Sequence, residues 1–405
     1  MIKFHARTDV GRKRRNNEDS LLAAAEVGLF VVADGVGGRK AGELASAITV
    51  NTFQKYGPRL QEVVKAFEKD PNRTTRNGVL WLLDEAANMA SKRVYEAAAP
   101  TGRQGMTTTL VAMVVGGGGA FIVHVGDSRA YLQRDRELRQ LTEDHSMVNQ
   151  LLRQGSITQE EAVRSRYRNV ITRAIGLYPS VQADTLFIEL VEGDRLMLCS
   201  DGCSDLISPT AISAIMNEGS VTQSCDTLIQ ASLDAGGKDN VTVIVVEPEA
   251  VLEAKSVASR AQAMERLFLF QDLPFHARLR VSRIVSEVRA EDGQVLVHQG
   301  DAGDTMYTVV HGEVAVVVDG TEVTRLGSGQ HFGELTLADQ LPRSADIIAR
   351  GPCRLLCIER SALHDFCMLE PVLGNQIMWK LVVTLGTRLR QTNKMLGNTP
   401  GDITD

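Results

Sequence analysis

The chain has 405 residues, 43% apolar and 23% charged, which exceeds one ordinary core and excludes wholesale disorder. Its 44 Lys and Arg against 50 Asp and Glu leave a net charge of −6, which excludes a general nucleic-acid coating surface and requires any anionic ligand to be held locally. No run approaches the ~20 apolar residues of a membrane helix, and the opening MIKFHARTDVGRKRR lacks the apolar centre of a signal peptide, so the expectation is a cytoplasmic chain with no membrane or nucleic-acid partner.

From 8 to 247 short apolar runs alternate with two long helical patterns. Strands are expected at 29–33, 110–115, 120–125, 196–200 and 241–246, each apolar and bounded by Gly or Asp. Val79, Leu83, Ala86, Ala90 and Val94 recur at three and four residues and predict an amphipathic helix, with another after Gly42. The tetraglycine at 116–119 reads as a hairpin turn, because no helix follows it to cradle a phosphate. The stretch 248–264, rich in Ala, Glu, Lys and Ser, reads as a linker with helical leanings. From 294 to 358 strand-like runs alternate with Gly-containing turns, predicting a compact antiparallel roll flanked by helical patterns, the last at about 371–391. Six cysteines in so long a chain are expected to be free thiols, and Cys353, Cys357, His364 and Cys367 lack the CxxC knuckle of a zinc site.

Aspartates fall at the strand ends: Asp34 closes LFVVA, Asp127 follows FIVHVG, Asp201 closes LMLCS and Asp239 precedes VTVIVV. Antiparallel pairing of the strands bearing Asp34 and Asp239 would place both carboxylates at one sheet edge. Gathered carboxylates repel unless a cation neutralises them, and all-oxygen ligands suit Mg²⁺ or Mn²⁺.

Eight stretches in order, TDVGRKRRNNEDS (8–20), VVADGVGG (31–38), MTTTLV (106–111), HVGDSRAYL (124–132), LTEDHS (141–146), NVITRAIG (169–176), CSDGCSD (199–205) and KDNVTVIVV (238–246), resemble the metal-dependent PPM (type 2C) serine/threonine protein phosphatases. The resemblance implies an α+β fold, an antiparallel β-sandwich flanked by helices (α-β-β-α), with 146–168 as a flap beside the active site. It implies direct hydrolysis of phosphoproteins at two Mn²⁺ or Mg²⁺ ions. Asp34 would bridge the metals, the Gly35 carbonyl would bind one, and Asp201 and Asp239 the other. Asp127 would help hold a third, looser metal. Asp19 and Glu18 would orient metal-bound water, with Asn240 behind the ligands, and Arg14 would grip the substrate phosphate. Some members carry a histidine, a candidate general acid, where this chain has Val36, which leaves metal-bound water or another group as proton donor, with His145 as one candidate and a structural hydrogen bond as its alternative role. No cysteine is followed six positions later by arginine, as a cysteine phosphatase requires, and no GxxxxGK[ST] occurs.

HFGELTLADQLPRSADIIA (331–349) resembles the phosphate-binding cassette of cyclic nucleotide-binding domains, and GDAGDTMYTVVHGEVAVVV (300–318) that family's central hairpin. The resemblance implies a cyclic nucleotide, cAMP or cGMP, with Arg343 and the amides of Gly333, Glu334 and Leu335 on the phosphate, Glu334 on the ribose 2′-hydroxyl, and Ser344 and Ala345 closing the cassette. The expected organisation is a phosphatase domain (1–248), a linker (249–264), a cyclic nucleotide-binding domain (265–391) forming a small β-roll with flanking helices, and a polar tail (392–405). The expected function is metal-dependent dephosphorylation of phosphoserine and phosphothreonine, within a serine/threonine kinase signalling pathway and regulated by the nucleotide. The alternatives are a nucleotide-binding scaffold with a silent first half, and a phosphatase whose roll only docks partners.

Overall fold

Runs such as LFVVA and VTVIVV are too short for helices and rich in β-branched residues, and they form strands buried on both faces. The computed structural model describes residues 2–36, 41–98, 105–165, 167, 170–249, 252–339 and 341–397, and the chain divides into two units between Val257 and Ala258.

In chain order the first unit contains β1 (Lys3–Asp9), β2 (Asp19–Ala24), β3 (Leu29–Val36), α1 (Ala41–Lys69), α2 (Arg73–Ala98), β4 (Thr107–Thr108), β5 (Leu110–Gly116), β6 (Gly119–Val125), β7 (Arg129–Arg134) and β8 (Glu137–Gln140). These are followed by α3 (Met147–Arg153), α4 (Gln159–Arg164), β9 (Asp184–Glu189), β10 (Arg195–Cys199), α5 (Asp201–Ser204), α6 (Pro209–Asn217), α7 (Val221–Asp234) and β11 (Val241–Glu247). One antiparallel sheet has the order β1-β11-β10-β7-β8 and the other β2-β3-β5-β6-β9, with β4 on β3. The first face of the second sheet (Leu29, Val31, Ala112, Val114, Phe121, Val123) packs under α1 and α2, including the predicted stripe Val79, Leu83, Ala86, Ala90 and Val94. The first sheet presents Met197, Val243 and Val245 to Ile212, Met216, Leu228 and Ile229 of α6 and α7. Alternate residues Phe30, Val32, Met113, Leu198 and Ile244 are fully buried as well, and strands of the two sheets touch. The layers are therefore α-β-β-α. Gly117 and Gly118 take positive φ (60° and 75°) in the β5–β6 hairpin, as the tetraglycine predicted.

One expectation needs correcting. Asp34 and Asp239 do not share a sheet edge: β3 and β11 belong to different sheets, so their carboxylates approach across the sandwich. Strand ends alone could not distinguish the two arrangements, because both put the residues at the same end.

The helix α8 (Ala254–Arg266) runs through much of the expected linker. The second unit continues with α9 (Phe275–Val281), β12 (Val285–Ala290), β13 (Val295–Val297), β14 (Thr305–Val318), β15 (Thr321–Leu326), β16 (His331–Phe332), α10 (Leu335–Ala338), β17 (Asp346–Glu359), α11 (Arg360–Leu369) and α12 (Pro371–Gly397). Its sheet has the order β12-β17-β14-β15, with β13 on β17 and β16 on β14. The expected hairpin over 300–318 is instead one 14-residue strand, β14, whose register on β17 shifts around His311. Gly312 makes the bend, with φ at +87°, where a Cβ would lie 2.6 Å from the Pro352 carbonyl oxygen.

Phe121 is fully buried, with ring centroids 5.2 Å from Phe67 and 4.7 Å from Phe187. Phe121→Ala should therefore destabilise the first unit by about 3–5 kcal/mol, read as a lower urea midpoint for its unfolding transition in the full chain.

Candidate active site

The acidic residues converge because five chain segments end at one end of the sandwich. Asp19 opens β2 and stands directly opposite Asp34 near the end of β3. Asp127 follows β6, Asp201 begins α5 just after β10, and Asp239 precedes β11. The ladder continues sideways: Gly35 pairs with Thr108 of β4, and the Asp34 N–H donates to Thr109 Oγ1 at 3.0 Å.

Hydroxyls and amides fix these carboxylates from below. Asp19 Oδ2 accepts from Ser200 Oγ at 2.8 Å and Thr242 Oγ1 at 2.6 Å, while Asp19 Oδ1 is buried with no partner. Asp201 Oδ1 is likewise buried and unpartnered. Asn240 staples the loop before β2 to β11: its Oδ1 accepts from Glu18 N at 2.8 Å, and its Nδ2 donates to the Val10 and Asn16 carbonyls at 2.9 Å each. The backbones themselves are pressed together. A Cβ on Gly35 would lie 2.2 Å from the Gly42 carbonyl oxygen, and one on Gly202 would lie 2.0 Å from that of Asn240, so both positions require glycine.

The electrostatic result is a set of carboxyls that resist ionisation. Burial, then Asp19, Asp201 and Asp127, raise Asp34 well above the usual carboxylate range. Burial raises Asp19 to about 6, against the Thr242 and Ser200 hydrogen bonds. Burial, then Asp239 and Asp205, raise Asp201 to about 6. Burial, then Asp201 and Asp144, raise Asp127 to about 7. Glu18 is also raised, chiefly by burial. Arg14 stands at the rim with its side chain about half exposed, its Nη2 donating to Asp239 Oδ2 at 2.7 Å and its charge in the field of Glu18 and Asp34.

Two orphaned, buried carboxylate oxygens among mutually raised acids form a donor set that fits hard divalent cations. Among the described residues no three His, Cys, Asp or Glu side chains converge as a ready-made ligand cage.

His145 is not free to act as an acid. It is 8% exposed, its Nδ1 accepts from the Gly126 N–H at 3.2 Å, and its Nε2 lies 3.4 Å from Asp184 and 3.3 Å from Arg173. With the Ser146–Ile171 bridge it ties the base of the 146–168 segment to the loop carrying Asp127. Val36 is exposed and offers no proton. Ser200 and Thr242, which hold Asp19, were not singled out from sequence, although both lie inside quoted motifs.

In the second unit Glu334 is 3% exposed; its Oε1 pairs with Arg388 of α12, and its Oε2 is buried and unpartnered. Arg343 Nη2 donates to the Thr305 carbonyl at 2.8 Å, while its Nη1 is buried with no partner. Gly333 and Gly303 make room for that guanidinium: a Cβ would lie 2.6 Å from Arg343 Nη1 at the first and 2.0 Å from Arg343 Nε at the second. Leu335 and Ser344 are exposed and Ala345 is buried. One buried acceptor and one buried donor thus await a ligand with a hydroxyl and an anionic group. Arg388 was not found from sequence, because nothing local to α12 marks it. Gly37, Gly38, Arg166, Arg168, Asn169 and Gln340, which fall within the predicted motifs and flap, lie outside the described residues.

Residues 11–239 match the family model described as Protein phosphatase 2C, and residues 287–370 match the one described as Cyclic nucleotide-binding domain. The chain is 35% identical over 245 residues to the serine/threonine phosphatase stp of Listeria welshimeri, covering 60% of this chain and 94% of that one. The solved serine/threonine phosphatase PstP/Ppp of Mycobacterium tuberculosis aligns with a TM-score of 0.55 at 36% identity, covering 61% of this chain and 99% of that one. A solved PstP catalytic domain in complex with 2 manganese ions aligns with a TM-score of 0.52 at 36% identity, covering 61% and 97%.

The raised carboxyls set a pH dependence. At pH 5 Asp19, Asp201 and Asp127 keep protons in the fold that the unfolded chain, with Asp near 3.9, has mostly released. Raising the pH through 6 to 7 therefore costs folding free energy. In chelator the Tm of the first unit should fall between pH 5 and pH 8, and Mn²⁺ should restore it far more at pH 8 than at pH 5.

Proposed function

The chain belongs to the protein phosphatase 2C family, as a metal-dependent serine/threonine phosphatase with a cyclic nucleotide-binding domain at its C-terminal end, and from that premise we propose that a cyclic nucleotide regulates its hydrolysis of phosphoserine and phosphothreonine on proteins. The observation that carries the catalytic reading is the buried acidic pocket with two unpartnered oxygens, Asp19 Oδ1 and Asp201 Oδ1, beside Arg14.

In this reading Asp34, Asp19, Asp201, Asp239 and the Gly35 carbonyl hold two divalent cations, and Asp127 helps hold a third. Bound there, the cations supply a water acidic enough to ionise near neutral pH and neutralise charge on the phosphoryl oxygens. Arg14 grips the phosphate through its guanidinium fork and orients it toward the pocket. Glu18 and Asn240 keep the acidic loop in register. Val36 carries no ionisable group and both ring nitrogens of His145 are engaged by Gly126, Asp184 and Arg173, so in this reading the leaving serine or threonine oxygen takes its proton from water. The substrates are phosphoproteins, which we assign to a serine/threonine kinase signalling pathway.

The regulatory reading rests on the unpartnered pair in the cassette. Arg343 Nη1 is suited to a cyclic phosphate and Glu334 Oε2 to a ribose hydroxyl, with cAMP and cGMP as the candidates. Regulation further requires the ligand to favour one state of the chain over another.

With Mn²⁺ and a phosphothreonine peptide, Asp239→Ala in the full chain should lower turnover by more than the roughly 10- to 100-fold cost of losing an outer hydrogen-bond partner. Addition of cAMP or cGMP should change the rate of the unsubstituted chain, and Arg343→Ala should weaken nucleotide affinity about 10- to 100-fold while leaving the basal rate intact. Equal rates with and without both nucleotides would refute regulation and spare catalysis.

A further inference from the structure

We propose that an apolar strip beside the phosphate pocket selects phosphoprotein substrates with a large apolar side chain about three to five residues from the phosphorylated one, an inference that rests on the phosphatase reading above. The strip begins where β3 ends. Val36 follows Asp34 and Gly35, is 42% exposed, and pairs with Thr107. Next to it, Thr108 and Ile175 exchange both backbone hydrogen bonds, at 3.1 and 2.9 Å. A short three-chain ladder therefore leads sideways from the acidic strand to the segment 175–181. Two strand spacings amount to about 10 Å.

That segment is clamped to α2. The Gly176 N–H donates to Ser91 Oγ at 3.0 Å, Ser91 Oγ donates to the Tyr178 carbonyl at 2.8 Å, and the Val181 N–H donates to Asn88 Oδ1 at 3.0 Å. Gly176, with φ at +87°, lies so close to α2 that a Cβ would be 2.2 Å from Val94 Cγ1. Despite this anchoring, Leu177 and Tyr178 present their side chains to solvent at 44% and 67% exposure, and Tyr95, one turn beyond Ser91 on α2, is 43% exposed. Single exposed apolar residues are ordinary, whereas several large ones on segments hydrogen-bonded to one another are the ground for proposing a binding surface.

The occupant is argued from continuity. Val36 is at once the near end of the strip and the residue after the pair Asp34–Gly35, so a substrate whose phosphate lies at Arg14 reaches the strip without leaving the surface. An extended peptide advances about 3.3 Å per residue, so three to five residues cover roughly 10–16 Å. The small aryl phosphates that a phosphatase also hydrolyses are too short to reach Leu177 and Tyr178 at its far end.

The test uses the full chain with Mn²⁺ and compares kcat/KM for an aryl phosphate, a phosphothreonine peptide with alanine at the three to five positions on either side, and the same peptide with one of these changed to leucine or phenylalanine. The apolar peptide should be favoured about tenfold, mostly through KM, as expected for half-burying one large side chain. Tyr178→Ser and Leu177→Ser should reduce that preference to within about twofold without changing aryl phosphate turnover, and Tyr178→Phe should keep it. Equal kcat/KM for the two peptides, a preference that survives the serine variants, or a parallel loss on the aryl phosphate would each overturn the proposal. So would a change of oligomeric mass in the serine variants with peptide preference intact, which would assign the strip to a second copy of the chain. Should the unsubstituted chain leave the aryl phosphate untouched, the phosphatase reading fails first and takes this one with it.

Discussion

Asp34, partly buried, lies in the field of Asp19, Asp201 and Asp127, so each ionisation in the pocket raises the cost of the next. Left to itself, that repulsion would splay the strand ends apart. The first unit opposes it with rigid covalent paths and short hydrogen bonds. Asp19 and Asp34 are fixed by one ladder, and Asn240 holds the loop before β2 with three hydrogen bonds. Gly35 and Gly202 allow backbones to touch where any side chain would force them apart. Thr242 and Ser200 satisfy one oxygen of Asp19 and leave the other open. Such an arrangement costs stability in the metal-free chain, and a site that binds cations tightly has to carry that cost in advance.

The second unit handles buried charge in another way. Glu334 has a cationic partner within the same unit, Arg388, and keeps only Oε2 open. Arg343 is tied to the Thr305 carbonyl and keeps Nη1 open. One open acceptor and one open donor suit a neutral hydroxyl and a singly charged phosphodiester, whereas the acidic pocket of the first unit suits dications. The difference follows from how much charge each fold leaves uncompensated.

What could be read in advance tracks how local each cause is. The apolar runs and the stripe from Val79 to Val94 reflect periodicities within a dozen residues, and strands and helices formed where those patterns lay. The acids of the pocket were identifiable because each sits at the end of such a run. That Asp34 and Asp239 belong to different sheets is not legible, since sheet membership depends on pairings as distant in sequence as that of β1 with β11, more than 230 positions apart. The bend of β14 at Gly312 lies inside the stretch that resembles a central hairpin, and sequence does not distinguish the two, because a glycine inside an apolar run signals a turn and a bulge alike. Arg388 left no trace, since an arginine on a helix becomes meaningful only once the fold brings Glu334 to it.

Arg14 shows why residue type matters at the rim of the pocket. One of its amino groups donates to Asp239, yet a guanidinium carries five N–H donors in a planar fork. The same side chain can therefore stay anchored to an acid of the pocket while offering a second edge to a phosphate, and the anchor fixes the direction of that edge. A lysine ammonium in this position would have to divide a single point charge between the carboxylate and the phosphate, with no plane to set the angle between them. The anchor also limits how far the arginine can swing into solvent, although about half of its side chain is exposed. In the proposed reading, a substrate phosphate would meet a cation already oriented by the acids that it must approach, which lowers the ordering cost of bringing two negatively charged partners together.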